Sequence, residues 1–496
     1  MEVKAKQNKK DTKKAKREIK MSKFNLSDRL KIPAKATIWY LGASAVAKGM
    51  GVITTPFFTR LLDGAEYGNI ALYMSLLGGA SVIVSAFSGG SSFYKGYKES
   101  GNNKSGFLRA ALIVICTISI AFCILLFTLA PLLGLKPSSA IPLTLQLLCD
   151  GITAILLSRA RFNYQYRLVA AVTVAGATLP PAISIFALKY LGANYSVRIY
   201  SLLLVSAIIA IFAFISLMKI QRGMDITKIG KEEIKNVLLL ALPMLPHAIW
   251  SAVSLQADKL VMTARLGPAA LGKYSVIFSV GVALHFLVSA VGSAFFPWII
   301  RRLDREETDR IREIVGLMFT GYAALGICIM AIAPEALAIL APKEYLDALP
   351  ALLPLVTSTP LFFLSSVNTA AIVYYGKTKS SLIISLTSAV ACIILNYTLI
   401  GKWGYAGAGV SYLLCQLISA SLGMILLRRE GIGQPIYLGR AILTLAISVT
   451  AGIICYRLWD SLVWRGAMLI IPLIMLLLCF TRLMPQITEK SGKTVP

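Results

Sequence analysis

Fourteen apolar runs, each about as long as a bilayer is thick, are separated by short polar breaks, and this constrains the fold more than any other feature of the sequence. A bilayer core takes about 20 apolar helical residues per crossing. On that rule the sequence predicts helices over 37–62, 69–93, 108–134, 139–158, 168–189, 197–218 and 236–265. Seven more follow over 271–299, 313–341, 348–375, 380–400, 405–427, 437–457 and 466–483. The expected fold is an all-α polytopic membrane protein. With 57% hydrophobic and 15% charged residues, the chain lies far from the roughly 25% charged composition of soluble domains.

The formal net charge of +27 would suggest nucleic acid in a soluble protein. Here it has a different cause, since cytoplasmic loops of membrane proteins collect Lys and Arg. With the N-terminus inside, the loops assigned to the cytoplasm outweigh the external ones in Lys and Arg by more than two to one. Arg301, Arg302, Arg305, Arg310 and Arg312 share one such loop. The pattern predicts a multi-pass protein of the cytoplasmic (inner) membrane with both termini inside, and no nucleic-acid partner.

The chain divides into a basic arm over 1–35, a first six-helix lobe over 36–218 and a cytoplasmic loop over 219–235. A second six-helix lobe over 236–427 follows, then a helix pair and tail over 428–496. The arm carries thirteen Lys and Arg and no apolar run, as a segment attracted to anionic lipid or a solvated tail would. The lobes resemble each other in two places. Thr59-Arg60-Leu61-Leu62-Asp63-Gly64 is matched by Thr263-Ala264-Arg265-Leu266-Gly267-Pro268, a helix end followed by a tight turn and a new helix. Lys189-Tyr190-Leu191-Gly192 is matched by Lys402-Trp403-Gly404. Both copies start on the same side of the membrane, so the repeat is parallel, and such repeats place a substrate site between the lobes.

Three stretches carry a family resemblance: Thr59 to Tyr73, Ala257 to Val276 with Pro243 and Pro246 ahead of it, and Gly401 to Ser411. In order and spacing they resemble the polysaccharide transporter (oligosaccharide flippase) family of the multidrug/oligosaccharidyl-lipid/polysaccharide exporter superfamily. The resemblance covers the chain from about residue 37. It implies a two-lobe carrier, often of undecaprenyl-diphosphate-linked sugar units, working by alternating access with lipid-linked oligosaccharide and membrane lipids as partners. A polysaccharide polymerase and other assembly proteins are further expected partners. A cation-coupled multidrug exporter and a non-transporting scaffold of an assembly complex are the alternatives.

No P-loop, nucleophile-elbow or zincin pattern is present, so neither enzyme activity nor a cofactor is expected. The eight cysteines form no C-x-x-C and there are two histidines, His247 and His285, so neither disulfides nor a metal site is expected. The informative residues are charges at membrane depth, each costing roughly 2.5–3.5 kcal/mol to insert. Lys48 lies near the middle of helix one, where it meets an anionic headgroup or pairs with a carboxylate such as Asp150. Lys259 is a second candidate for the headgroup, beside Asp258, which binds a coupling cation or holds the turn. Asp150 and His285 complete the ion-coupling or gating candidates. Arg159 and Arg161, among Phe162, Tyr164 and Tyr166, fit a cytoplasmic mouth that docks a diphosphate, or ordinary interfacial anchoring. Glu335 is expected at an interface. Gly42, Gly49, Gly51, Gly78 and Gly79 are expected to let helices pack closely.

Overall fold

The computed structural model describes residues 35–101, 103–129, 140–222, 231–242, 245–459 and 461–488. The basic arm, up to residue 34, lies outside them. The described residues are helical almost throughout, and nine helices are long and apolar enough to cross a membrane. A tenth is added when Pro268–Gly281 and Ala283–Gly292, bent by 41°, are taken as one span.

The first four segments are α1 (35–61), α2 (Gly64–Ser88) with its short extension α3 (Gly90–Glu99), α4 (Lys104–Leu129) and α5 (Ala140–Phe162). Next come α6 (Tyr166–Leu191) and α7 (Tyr195–Arg222). The seventh predicted run is broken into α8 (Lys231–Ala241) and α9 (Leu245–Leu266), and the eighth into α10 (Pro268–Gly281) and α11 (Ala283–Leu303). Then follow α12 (Thr308–Leu340), a 3-10 turn (Lys343–Ala351), α13 (Leu352–Tyr374), α14 (Thr378–Arg429), α15 (Leu438–Arg457) and α16 (Leu462–Thr488). Both ends of the loop expected over 219–235 are helical, since α7 runs to Arg222 and α8 begins at Lys231, and the stretch between lies outside the described residues. Apolar stretches end where polar residues begin, but helical hydrogen bonding continues until something breaks it.

α14 shows what breaks it. Its 52 residues form one helix interrupted at Gly404, whose φ of 55° favours glycine. The chain reverses there, for Lys377 at its start and Glu430 at its end form an ion pair of 2.9 Å. The Lys377 ammonium, and after it the Ser380 hydroxyl, hold the Glu430 carboxyl below its usual pKa. α14 is thus two antiparallel arms, as the runs 380–400 and 405–427 predict. Gly192, in the matching stretch of the first half, has a φ of 97°. α6 continues through Pro180 and Pro181, and Ser184 Oγ donates to the Pro180 carbonyl at 2.6 Å.

Three large cores account for most of the buried apolar surface. One joins α2 to α8 through Tyr73, Leu77, Leu108, Ile115, Leu147 and Leu217. A second joins α9, α10, α12, the 3-10 turn and α13, and includes Leu72 of α2. A third holds α11 to α15 around Phe319, Phe363 and Val367. α2 therefore packs into both halves of the molecule. α16 is clamped onto α12 by Arg465, which pairs with Glu335 through both guanidinium ends at 2.7 and 2.8 Å. Arg465 is buried, and Glu335 is half-exposed as expected of an interfacial group.

Candidate functional site

The two turns of the repeat meet. A Cβ added to Gly68 would lie 1.7 Å from the carbonyl oxygen of Pro268, and one added to Gly272 would lie 2.3 Å from that of Gly64. The contacts are reciprocal, so α2 and α10 cross backbone to backbone about a pseudo-twofold relation. Only glycine permits that approach. Nearby, Thr59 Oγ1 donates to the Leu340 carbonyl at 2.7 Å, and Arg60 Nη1 to that of Ile339 at 2.9 Å. Tyr67 and Tyr345 rings lie 6.2 Å apart. The two halves are thus joined at this end, the turn end. At the opposite, basic end α11 packs on α12 and α13, while α10, the turn-end part of the same segment, packs on α2.

Just inside the joined end lies a cavity of about 380 Å³. α1 contributes Thr54 and Thr55, α2 contributes Ser75, α7 contributes Arg198, and α9 contributes Gln256 and Lys259. Both halves of the chain therefore line it. Its lining holds two cations, hydroxyls and an amide, and no carboxylate among the described residues. Lys259 Nζ donates to Gln256 Oε1 at 3.0 Å and to the Leu255 carbonyl at 3.2 Å, and sits 4.6 Å from the Phe278 ring centre. Ser75 Oγ donates to the same Gln256 oxygen at 2.7 Å. Arg198 lies over the Phe58 ring at 4.5 Å and donates to Ser184 Oγ at 2.7 Å. Aromatic faces thus seat both cations.

Lys48 is on the cavity-facing side of α1 without lining the cavity itself. Lys48, Gly51, Thr55 and Phe58 follow helical spacing, so they share one face, with Lys48 about 9 Å below Thr54 by a rise of about 1.5 Å per residue. Its side chain is exposed and its Nζ lies 3.6 Å from the centre of the Phe286 ring on α11. It has no carboxylate partner among the described residues, so the pairing with Asp150 is not formed. Asp150 instead accepts from Gln146 Nε2 at 3.1 Å, and that amide also reaches Ser206 Oγ of α7 at 2.6 Å.

Asp258 is buried behind the cavity wall. Its Oδ2 accepts from the Tyr274 hydroxyl at 2.8 Å, and its Oδ1 is 4.0 Å from Lys259 Nζ. Adjacent helix positions diverge by about 100°, yet the long lysine chain folds back far enough for the two groups to sense each other. His285 sits deeper in the second half, its ring nitrogens 3.3 Å from the Tyr412 hydroxyl and 3.5 Å from that of Ser358, stacked on Phe362. The side chain of His247 lies outside the described residues. Arg159 and Arg161 are in the last turn of α5. Tyr73 of α2, near the cavity, touches the start of α5 at Pro142, so Arg159 lies roughly 25 Å further along that helix. The structure brings Lys259 to the cavity and Lys48 to its approach, and leaves Arg159, Arg161, Asp150 and His285 elsewhere.

Arg198 and Gln256 were not singled out in the sequence. Arg198 reads there as an external-loop charge, and its only distinguishing signal is a position inside the apolar helix that begins at Tyr195. The glycines of α1 also differ from expectation. A Cβ at Gly42, Gly49 or Gly51 would meet nothing within 4 Å, so none of them is a close-packing contact, whereas Gly78 and Gly79 do face Gln256.

The fold of this all-helical chain, whose two halves join at one end over a shared polar cavity, is also found in solved flippase and transporter structures. Lipid II flippase MurJ in an inward closed conformation matches it with a TM-score of 0.67 at 16% identity, covering 90% of this chain and 98% of that one. An inward-facing multidrug resistance MATE family transporter matches at 0.62 and 16% identity, covering 77% and 94%. An outward-facing one matches at 0.54 and 15%, covering 80% and 96%. At these identities the likeness concerns the fold. The chain belongs to the polysaccharide biosynthesis protein family, whose sequence profile matches residues 34–303. No curated protein matches it in sequence.

Proposed function

We propose that this protein is a flippase that carries a lipid-linked oligosaccharide of the undecaprenyl-diphosphate type from the cytoplasmic to the outer leaflet for surface polysaccharide synthesis. The observation that carries this reading is the cavity on the seam between the halves, with cations, hydroxyls and an amide in its walls and no carboxylate. Such walls suit an anionic, hydroxyl-rich cargo. An exporter of cationic drugs would need the opposite polarity, although the fold itself serves such exporters too.

With the halves joined at the turn end, which the charge pattern assigns to the outside, and α8 meeting α3 and α4 at the basic end, we read the chain as a state that receives cargo from the cytoplasm of an inner membrane through the side between α1 and α11, with both termini inside. The headgroup passes the basic mouth at Arg159 and Arg161, the diphosphate is met by Lys48, and the sugars enter the cavity beyond it while the lipid tail stays in the bilayer. Opening outward requires the Gly68–Gly272 crossing to part. Of the three candidate coupling groups, Asp258 is the one in reach of a cavity cation. Proton or cation uptake at Asp258 would therefore change the field at Lys259, with Asp150 and His285 acting within their own halves. The carrier is not an enzyme and its cycle uses no cofactor.

The test is transport by purified protein in proteoliposomes holding a fluorescent lipid-linked oligosaccharide. The wild type moves it between leaflets, Lys48→Ala slows it at least about tenfold at normal abundance, and Lys48→Arg retains it. Movement of a cationic drug with no movement of the lipid-linked sugar would establish the exporter. No transport of either, with surface polymer lost on deletion and fully restored by Lys48→Ala, would establish the scaffold.

A further inference from the structure

Arg198 and Lys259 line the cavity from opposite halves of the molecule. Each is seated on an aromatic ring, Phe58 for Arg198 and Phe278 for Lys259. Arg198 is half-buried, its one hydrogen bond goes to a neutral hydroxyl, and no carboxylate pairs with it among the described residues. The carboxylate nearest to Lys259 is Asp258, at 4.0 Å, whose side chain is 4% exposed and already accepts from Tyr274. A partly desolvated guanidinium without a counter-charge is costly unless a ligand supplies one.

The cargo's diphosphate is poorly placed to be that ligand. It stays attached to a tail in the bilayer, and the exposed Lys48 stands on the cavity-facing side of α1 about 9 Å before Thr54, on the approach between α1 and α11. One or two sugar rings span that separation. The cavity, at about 380 Å³, falls in the range of about 300–1,000 Å³ typical of ligand sites. Its remaining polar walls, Thr54, Thr55, Ser75 and Gln256, are groups that pair with sugar hydroxyls.

We infer, building on the flippase reading, that Arg198 and Lys259 form a second anion subsite which selects cargo bearing a negatively charged group on one of its first sugars, a carboxylate of the uronic-acid type. The guanidinium offers the paired donors that suit a planar carboxylate. Lys259, held in place by Gln256, adds a point charge from the other half. Because the two cations belong to different halves, such a sugar bridges the seam and favours the state in which the halves are closed over it.

The experiment uses the full-length protein in proteoliposomes and two synthetic undecaprenyl-diphosphate disaccharides identical but for the second sugar, glucuronic acid in one and glucose in the other. The wild type moves the acidic cargo at least about tenfold faster than the neutral one. Arg198→Gln and Lys259→Gln bring that ratio close to one. Arg198→Lys and Lys259→Arg keep most of it, and Lys48→Ala slows both cargoes alike and leaves the ratio standing. Equal wild-type rates for the two cargoes would overturn the subsite. Loss of both cargoes to the same degree in the Gln variants, with folded protein at wild-type abundance, would also overturn it and reassign the cations to the diphosphate. No movement of either cargo by the wild type would instead remove the flippase reading on which the subsite rests.

Discussion

The α1–α2 corner and the α9–α10 corner are two copies of one device, and they diverge where charge is concerned. Registering Gly68 on Gly272 places Asp63 on Gly267, Thr54 on Asp258, Thr55 on Lys259 and Ile70 on Tyr274. Each copy starts its second helix in its own way. Asp63 caps α2 by accepting from the Glu66 amide at 2.7 Å, while the second copy has Gly267 at a φ of 86° and Pro268, which has no amide to cap. In the interior, Asp258 faces Tyr274, and the corresponding Thr54 has Ile70 in the tyrosine's place. Thr54 and Thr55 satisfy their hydroxyls on their own helix, at 2.7 Å to the carbonyls of Met50 and Gly51. The copies share what the crossing needs. They differ in the polar groups at the cavity, where the second copy has Lys259 with the buried Asp258 behind it and the first has Thr55 and Thr54, while Lys48 lies about two turns further toward the basic end.

The shared part carries the largest expected effect. Gly68→Ala puts a methyl 1.7 Å from a backbone oxygen, and Gly272→Ala puts one 2.3 Å from another. Neither backbone can yield without separating the helices. Overpacking typically costs 1–3 kcal/mol, and a backbone clash should reach about 3 kcal/mol or more. Thermal melting of the purified protein checks this. Both variants should melt well below wild type, with Gly68→Ala the lower of the two. Wild-type stability in either would show that the crossing is not a structural keystone.

The divergent part should give a smaller and more specific effect. Tyr274→Phe leaves the buried Asp258 carboxylate without its hydroxyl donor. A hydrogen bond to a charged group contributes about 1.5–3 kcal/mol. A double-mutant cycle of Tyr274→Phe with Asp258→Ala should return a coupling energy of that size, measured by chemical denaturation in detergent. The same cycle on the first copy, Thr54→Ala with Ile70→Val, should return less than about 0.5 kcal/mol, since that pair shares no hydrogen bond. Equal couplings would erase the distinction between the copies.

The sequence carries the repeat and the helical runs because membrane depth imposes a length and glycine marks the turns. Gly267-Pro268 and Gly404 are readable as breaks for that reason. The break after Ala241 is readable too, from Pro243 and Pro246, whereas the 41° bend at Val282 is less so, since the eighth run is apolar across its bend with neither a proline nor a positive-φ residue at Val282. Depth also singles out Lys48, Asp258 and Lys259, for a charge in hydrocarbon is conspicuous in any sequence. Arg198 escapes because its position near a helix start looks like an ordinary interfacial charge. Gln256 and Ser75 escape because neutral polar residues are common in membrane helices. Which of them meet depends on how the halves lean together, and that is set by the Gly68–Gly272 crossing, a contact between residues two hundred positions apart.

The smallest expected effect concerns α1 itself. Glycine in a helix interior costs about 0.5–1 kcal/mol relative to alanine unless something needs the space. Nothing lies within 4 Å of a Cβ at Gly42 or Gly49, and no positive φ calls for glycine there. Gly42→Ala and Gly49→Ala should therefore leave the melting temperature unchanged or raise it slightly, in contrast to the same change at Gly68. A loss of stability would mean that α1 packs its glycine face against a neighbour in the folded protein. A gain in stability with slower transport would mean that the glycines keep α1 pliable at the approach to the cavity, where Lys48 and Phe286 meet and the two copies of the repeat part company.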